Sequence, residues 1–173
     1  DIFLEPISKN TAPAITLVAL SLKVESTLLV LAADHIIEDE KAFRKQVQQS
    51  CEYLKDNKIV IFGIKPFSPN TNYGYIETKK VNKPFFEVLH FKEKPNKNLA
   101  EKYFKNSNYF WNSGMFLFKA GTFIQELDTY NPKVLDVCKK TFKTIKTDMK
   151  FKKFDKNIFN KCPNKSIDYA IME

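Results

Sequence analysis

At 173 residues, with 43% hydrophobic and 28% charged residues, the chain is long enough for one well-buried α/β core and too short for two. Its net charge of +8 rests on 28 basic residues that include a single arginine, Arg44; base reading and bidentate phosphate recognition favour arginine, so the charge reads as solvated lysine-rich faces and sets nucleic acid aside. The longest apolar runs, around 14–20 and 27–33, fall far short of a membrane span, and Cys51, Cys138 and Cys162, without C-x-x-C pairing and with only His35 and His90 beside them, argue against zinc and for a reducing, cytoplasmic setting.

Residues 1–4 (DIFL) read as a strand that runs into Glu5-Pro6. A helix follows, with Asn10 or Thr11 as N-cap, Pro13 in the first turn, and Ala14, Leu17, Val18 and Leu22 as its buried face. The continuous apolar run 27–33 predicts a strand covered on both faces. Residues 39–56 predict a second helix that buries Phe43, Val47, Cys51 and Leu54, with Cys51 and Cys138 as core thiols on apolar helical faces. Lys58–Gly63 is a further apolar strand. The order β-α-β-α-β implies a parallel, doubly wound sheet.

From Ile64 the texture changes. Pro66, Pro69 and Asn70 mark a loop, and YGYIET and FFEVLHFKEK read as two alternating strands. A helix near 97–106 precedes the strand NYFWNSGMFLFKA, and 120–173 reads as mostly helical. The whole is expected to be one domain, 1–173, with an inserted antiparallel patch. It begins with Asp rather than Met and reads as a fragment truncated at both ends.

Ligands of open parallel sheets gather outside the carboxyl ends of the strands. Asp34 directly follows the strand 27–33 and so lies there; it either caps the next helix or binds a hard, oxygen-seeking cation such as magnesium. EPISKNTAPAI sits on the same edge. A carboxylate such as Glu5 can accept two hydrogen bonds from the N1–H and amino group of guanine, and Thr11 and Ala12 are small enough for a flat base to approach; the plainer alternative is a capped strand-to-helix turn. Gly74, between two tyrosines in a strand, marks a bulge or the close approach of a ligand. At a strand end, Glu93 can accept from sugar hydroxyls and Lys94 can meet a phosphate as a point charge, unless the pair is simply solvated. Asn112 and Ser113 precede Gly114 and an apolar strand.

Each of these motifs is weak alone. In this order, EPISKNTAPAI (5–15), LLVLAADHII (28–37), FGIKPFSPNTNYGYI (62–76), FKEKP (91–95), WNSGMFLF (111–118) and SIDYAIME (166–173) resemble the sugar-nucleotide pyrophosphorylases, and within them the mannose-1-phosphate guanylyltransferases. The resemblance implies an α/β fold of the nucleotide-diphospho-sugar transferase type: a Rossmann-like, mostly parallel sheet flanked by helices, with an inserted antiparallel strand patch. It implies GTP and mannose 1-phosphate as substrates, GDP-mannose as product, a magnesium or other divalent cation, neither nucleic acid nor membrane as partner, and leaves a homo-oligomer open. On matching positions, Glu5, Asn10, Thr11 and Ala12 would meet the guanine, and Asp34 would be one of two metal-binding aspartates. Gly74, Glu93 and Asn112 would line the sugar pocket, and Lys94 would face the sugar phosphate. The alternatives are a sister enzyme for another base or hexose, or a non-catalytic nucleotide-sugar-binding homologue.

The chain departs from the family pattern in several places. The family's glycine-rich triphosphate loop and its second aspartate, in a W-S-D-x-G segment beyond SIDYAIME, are not within these residues. Lys9 stands where arginine is usual, Ala32 where proline is common and Asn72 where glycine is common.

Overall fold

The structure is a computed structural model that describes residues 1–79 and 85–172; Glu173, the last residue of SIDYAIME, lies outside them. The chain forms two compact units. The first comprises Asp1–Val30, Ile36–Val60 and Leu117–Met172, and the second Leu31–His35 and Ile61–Phe116.

In the first unit, β1 (Ile2–Leu4) leads to α1 (Thr11–Leu20). Asn10 is the N-cap, and Pro13 falls in the first turn, where no intrahelical donor is required of it. Ala12, Ile15, Leu17 and Ala19 are buried on α1. Of the expected buried face only Leu17 is fully buried, Ala14 and Val18 being half-buried and Leu22 exposed beyond the helix end; α1 packs chiefly on α4 (Ala120–Tyr130) and α5 (Pro132–Phe142).

The strand β2 (Thr27–Val30) is shorter than expected, and Leu31 is 46% exposed, so the apolar run is covered over only part of its length. The predicted helix 39–56 breaks into α2 (Glu40–Ser50) and a 3₁₀ segment, Cys51–Asp56. The Ser50 hydroxyl donates back to the Gln46 carbonyl at 2.7 Å. The tighter 3₁₀ winding then moves the apolar face, so Ser50 and Leu54 are buried and Cys51 is exposed rather than a core thiol. Cys138 is buried as expected, 3.9 Å from the Sγ of buried Cys162.

The strand β1 does not join β2. It pairs in parallel with β8 (Phe151–Lys153), which forms a hairpin with β7 (Lys146–Asp148). Phe3 stacks on Phe154 at 6.1 Å. The order β-α-β-α-β holds along the chain, but its first strand takes its partner from a region that reads as helix.

In the second unit, β4 (Tyr75–Lys79) lies antiparallel to both β5 (Glu87–Lys92) and β6 (Tyr109–Lys119, which continues into the first unit). The expected antiparallel patch is this sheet. Strand order in the five-stranded sheet is β2-β6-β4-β5, with β3 (Val60–Ile64) also on β6. On one face, Tyr75, Trp111 and Ala100 of α3 (Lys97–Phe104) form a small core, flanked by Tyr103 stacked on Tyr109 at 4.3 Å. Among the described residues no helix is long and apolar enough to cross a membrane.

Candidate active site

Two groups of candidate residues arise, one in each unit. In the first unit, β1 delivers Glu5 and the turn Lys9–Ala12 to the start of α1. Glu5 is exposed, yet nearby protein removes enough water to push its carboxyl above the ordinary carboxylate range. Asn10 has φ 70° and ψ −174°, a region open essentially to glycine, at a cost of about 1–3 kcal/mol. Its side chain accepts from the Thr11 N–H at 2.8 Å.

Four bonds tie this turn to a distant part of the chain. The Lys165 N–H donates to the Lys9 carbonyl (3.3 Å), and the Ala12 N–H to the Lys165 carbonyl (3.1 Å). The Ile167 N–H donates to the Thr11 hydroxyl (2.8 Å), and the Lys9 ammonium to the Asn160 carbonyl (2.7 Å). Ala12 is fully buried with its N–H engaged, so its visible duty is to let α1 pack closely. Asp168 is half-buried in the wide π-helical turn Asp168–Met172.

In the second unit, three residues singled out from the sequence meet at one point. The Asn112 N–H donates to the Gly74 carbonyl at 2.8 Å. A Cβ on Gly74 would lie 2.5 Å from Glu93 Oε2, 3.1 Å from Phe91 Cζ and 3.4 Å from Asn112 Cβ. The Asn112 side chain accepts from the Gly114 N–H at 3.1 Å, and Gly114, at φ 70°, supplies the local bend in β6. The Glu93 side chain is 11% exposed, and its Oε1 lies 3.5 Å from the ammonium of Lys94, which is 61% exposed. Lys94 itself has φ 43°, immediately before Pro95. A buried acceptor lying against the Gly74 backbone, with an exposed cation beside it, offers chemistry suited to hydroxyls and a phosphate.

Asp34 lies in a turn after β2, in the second unit, and is exposed. It does not cap α2: that duty falls to Asp39, whose carboxylate accepts from the Ala42 N–H at 2.9 Å. One of the two alternatives for Asp34 is thereby removed. Among the described residues no group of three or more His, Cys, Asp or Glu side chains is placed to hold a metal. A single carboxylate still suits magnesium, which keeps several waters and takes further oxygens from substrate phosphates. Asp39→Ala is expected to lower stability by about 1 kcal/mol through loss of the cap, measured by urea denaturation, with activity retained.

Residues 1–157 match the family model described as nucleotidyl transferase. The chain belongs to the nucleotidyl transferase family. It is 46% identical to the mannose-1-phosphate guanylyltransferase of Escherichia coli K12, in an alignment that spans all of this chain and 38% of that protein. It is 44% identical to mannose-1-phosphate guanylyltransferase RfbM of Salmonella typhimurium LT2, over all of this chain and 37% of the relative. The chain thus spans about two-fifths of the length of these relatives.

Among solved structures, the crystal structure of mannose-6-phosphate isomerase from Helicobacter pylori superposes with a TM-score of 0.91 at 32% identity, covering 99% of this chain and 67% of that one. The crystal structure of mannose-1-phosphate geranyltransferase from Thermus thermophilus gives 0.83 at 30%, covering 98% and 49%. The fold is of the nucleotide-diphospho-sugar transferase type. Ile167 lies in SIDYAIME, one of the motifs that carry the resemblance, but sequence reasoning missed Asn160 and Lys165 as supports of the Lys9–Ala12 turn, because their contacts span about 150 residues and leave no local pattern.

Proposed function

We propose that this nucleotidyl transferase acts on GTP and mannose 1-phosphate, giving GDP-mannose and pyrophosphate. The observation that carries the reading is the match, at 46% identity over the whole chain, to a relative bearing that activity in its name. The meeting of Gly74, Glu93 and Asn112 beside Lys94 supports it.

In this reaction a phosphate oxygen of mannose 1-phosphate attacks the α-phosphorus of GTP, and the bond from that phosphorus to the oxygen bridging the β-phosphate breaks. The nucleophile is already anionic, so no general base is required, and catalysis consists of positioning and charge neutralisation. Glu5 accepts from the guanine N1–H and amino group, an exchange that favours its ionised form against the desolvation that raises its pKa. The exposed residues Asn10 and Thr11 face the base, while buried Ala12 lets α1 pack closely behind them. Glu93, which lies against the Gly74 backbone, and Asn112 orient the hexose, and Lys94 fixes the incoming phosphate. Asp34 is the residue here that would hold magnesium, which when bound neutralises phosphate charge. The cytoplasm suits both the substrates and three cysteines outside any disulfide.

The reading is tested by offering the full-length protein GTP, UTP and ATP with magnesium and either mannose 1-phosphate or glucose 1-phosphate. GDP-mannose with a GTP preference of about 10-fold or more is expected, the scale of a pocket built around one base's donors. Equal turnover with UTP, or a preference for another hexose 1-phosphate, overturns it.

A further inference from the structure

Asn131 joins α4 to α5 and is the N-cap residue of α5, directly before Pro132. Asparagine is favoured at that position because its side chain accepts from the first free N–H groups of the helix. Here the side chain caps nothing. Its Oδ1 accepts instead from the Lys165 ammonium at 2.9 Å, and its Nδ2 donates to the Ala170 carbonyl at 2.6 Å.

Those two grips bracket Lys165–Ala170. The residues between them make three of the bonds that hold Lys9–Ala12, from the Lys165 N–H, to the Lys165 carbonyl and from the Ile167 N–H. Asn10, inside the held turn, keeps a backbone conformation that asparagine adopts only when its surroundings over-determine it. Asp168–Met172, where Ala170 sits, is a π-helical turn, a geometry that likewise needs support from outside. The structure therefore spends a helix-capping side chain on bracing a strained turn elsewhere.

We infer that Asn131 and Lys165 are positioning residues for the nucleotide: they hold Lys165–Ala170 so that the strained Lys9–Ala12 turn is in its binding conformation before the nucleotide arrives. The inference rests on the reading of that turn as the base-binding turn. Without the brace the turn relaxes, and binding must restore it. If the competent form falls to about one-tenth of the population, the apparent dissociation constant rises about 10-fold.

The experiment compares full-length wild type, Asn131→Ala, Asn131→Asp and Lys165→Met in equilibrium titration with GTP and in steady-state kinetics. Asn131→Ala gives up no cap, since none is made, and Lys165→Met keeps the packing of the side-chain stem. Either alanine or methionine variant is expected to raise the KM and Kd for GTP about 10-fold, with kcat at saturation and the KM for mannose 1-phosphate held. Asn131→Asp, which keeps the acceptor for Lys165 and loses the donor to Ala170, falls between. Unchanged GTP affinity in both variants overturns the inference, as does parallel loss of kcat and of both affinities, the mark of a general structural role. If wild type takes UTP or ATP in place of GTP, the assignment of the base fails, and the same comparison with that nucleotide decides the inference. If wild type binds no nucleotide, both fail.

Discussion

Gly74→Ala lowers kcat/KM for mannose 1-phosphate about 100-fold and leaves GTP affinity unchanged, because the new methyl group displaces the sugar's neighbours rather than unfolding the sheet. The added Cβ would stand 2.5 Å from Glu93 Oε2, well inside contact distance. That atom is the far end of a flexible side chain, so the collision is relieved by swinging the carboxylate away. The next contact, 3.1 Å to Phe91 Cζ, is a ring edge that can give by a few tenths of an ångström, and Asn112 Cβ at 3.4 Å is at ordinary distance. Overpacking of this kind costs about 1–3 kcal/mol, which a folded domain with ordinary stability withstands. The loss of activity comes from where the relief is taken: the displaced group is the acceptor assigned to the hexose. A misplacement of about 1 Å at a substrate-positioning group is enough for a 100-fold loss. Steady-state kinetics varied in each substrate, with a thermal melt of the variant alongside, separate the cases. A loss shared equally by GTP and mannose 1-phosphate, or no loss at all, rules out the sugar role of this cradle.

The parts of this structure that were legible in the sequence are those decided by local chemistry. Asn10 and Pro13 mark the start of α1, whereas Gly74, expected to mark a bulge or the close approach of a ligand, lies just before β4 with the Glu93 carboxylate against its backbone. What was not legible depends on partners far along the chain. The hairpin β7–β8 turns at Met149 and Lys150, with φ 53° at Met149, and neither residue is a turn former. Its strands are lysine-rich and held by a Lys153–Asp148 ion pair at 2.7 Å, a pattern that reads as a solvated helix face. Without that hairpin β1 has no visible partner, so it is drawn into the main sheet. Cys51 shows a subtler failure: steps of four, four and three fit an α-helix, but the winding tightens after Ser50 and rotates the thiol outward. The candidate site divides the same way. Its residue types were readable, whereas the brace at Asn131 exists only through tertiary contacts, and the positive φ of Lys94 before a proline runs against the local preference.

Asp34 is the position where structure changes the weight of the competing explanations most. A carboxylate at the end of β2 had two duties open to it, and the cap of α2 belongs to Asp39. Asp34 is exposed and lies in a turn, so Asp34→Asn removes one charge and keeps an oxygen of the same shape at a site with no packing to lose. A surface change of that kind alters stability by about 0.5 kcal/mol or less. If Asp34 holds magnesium against the phosphates, the same change lowers kcat about 100-fold or more, the scale seen when one charge-stabilising group is taken from a transition state. The magnesium concentration for half-maximal rate should rise with it, because a neutral amide is the weaker ligand for a hard cation. The measurement is kcat against magnesium concentration, with urea denaturation of the same variant. Asp39→Ala supplies the opposite pattern, stability lost and turnover kept. Near-normal turnover of Asp34→Asn in saturating magnesium would mean that this exposed carboxylate neither caps a helix nor binds the metal.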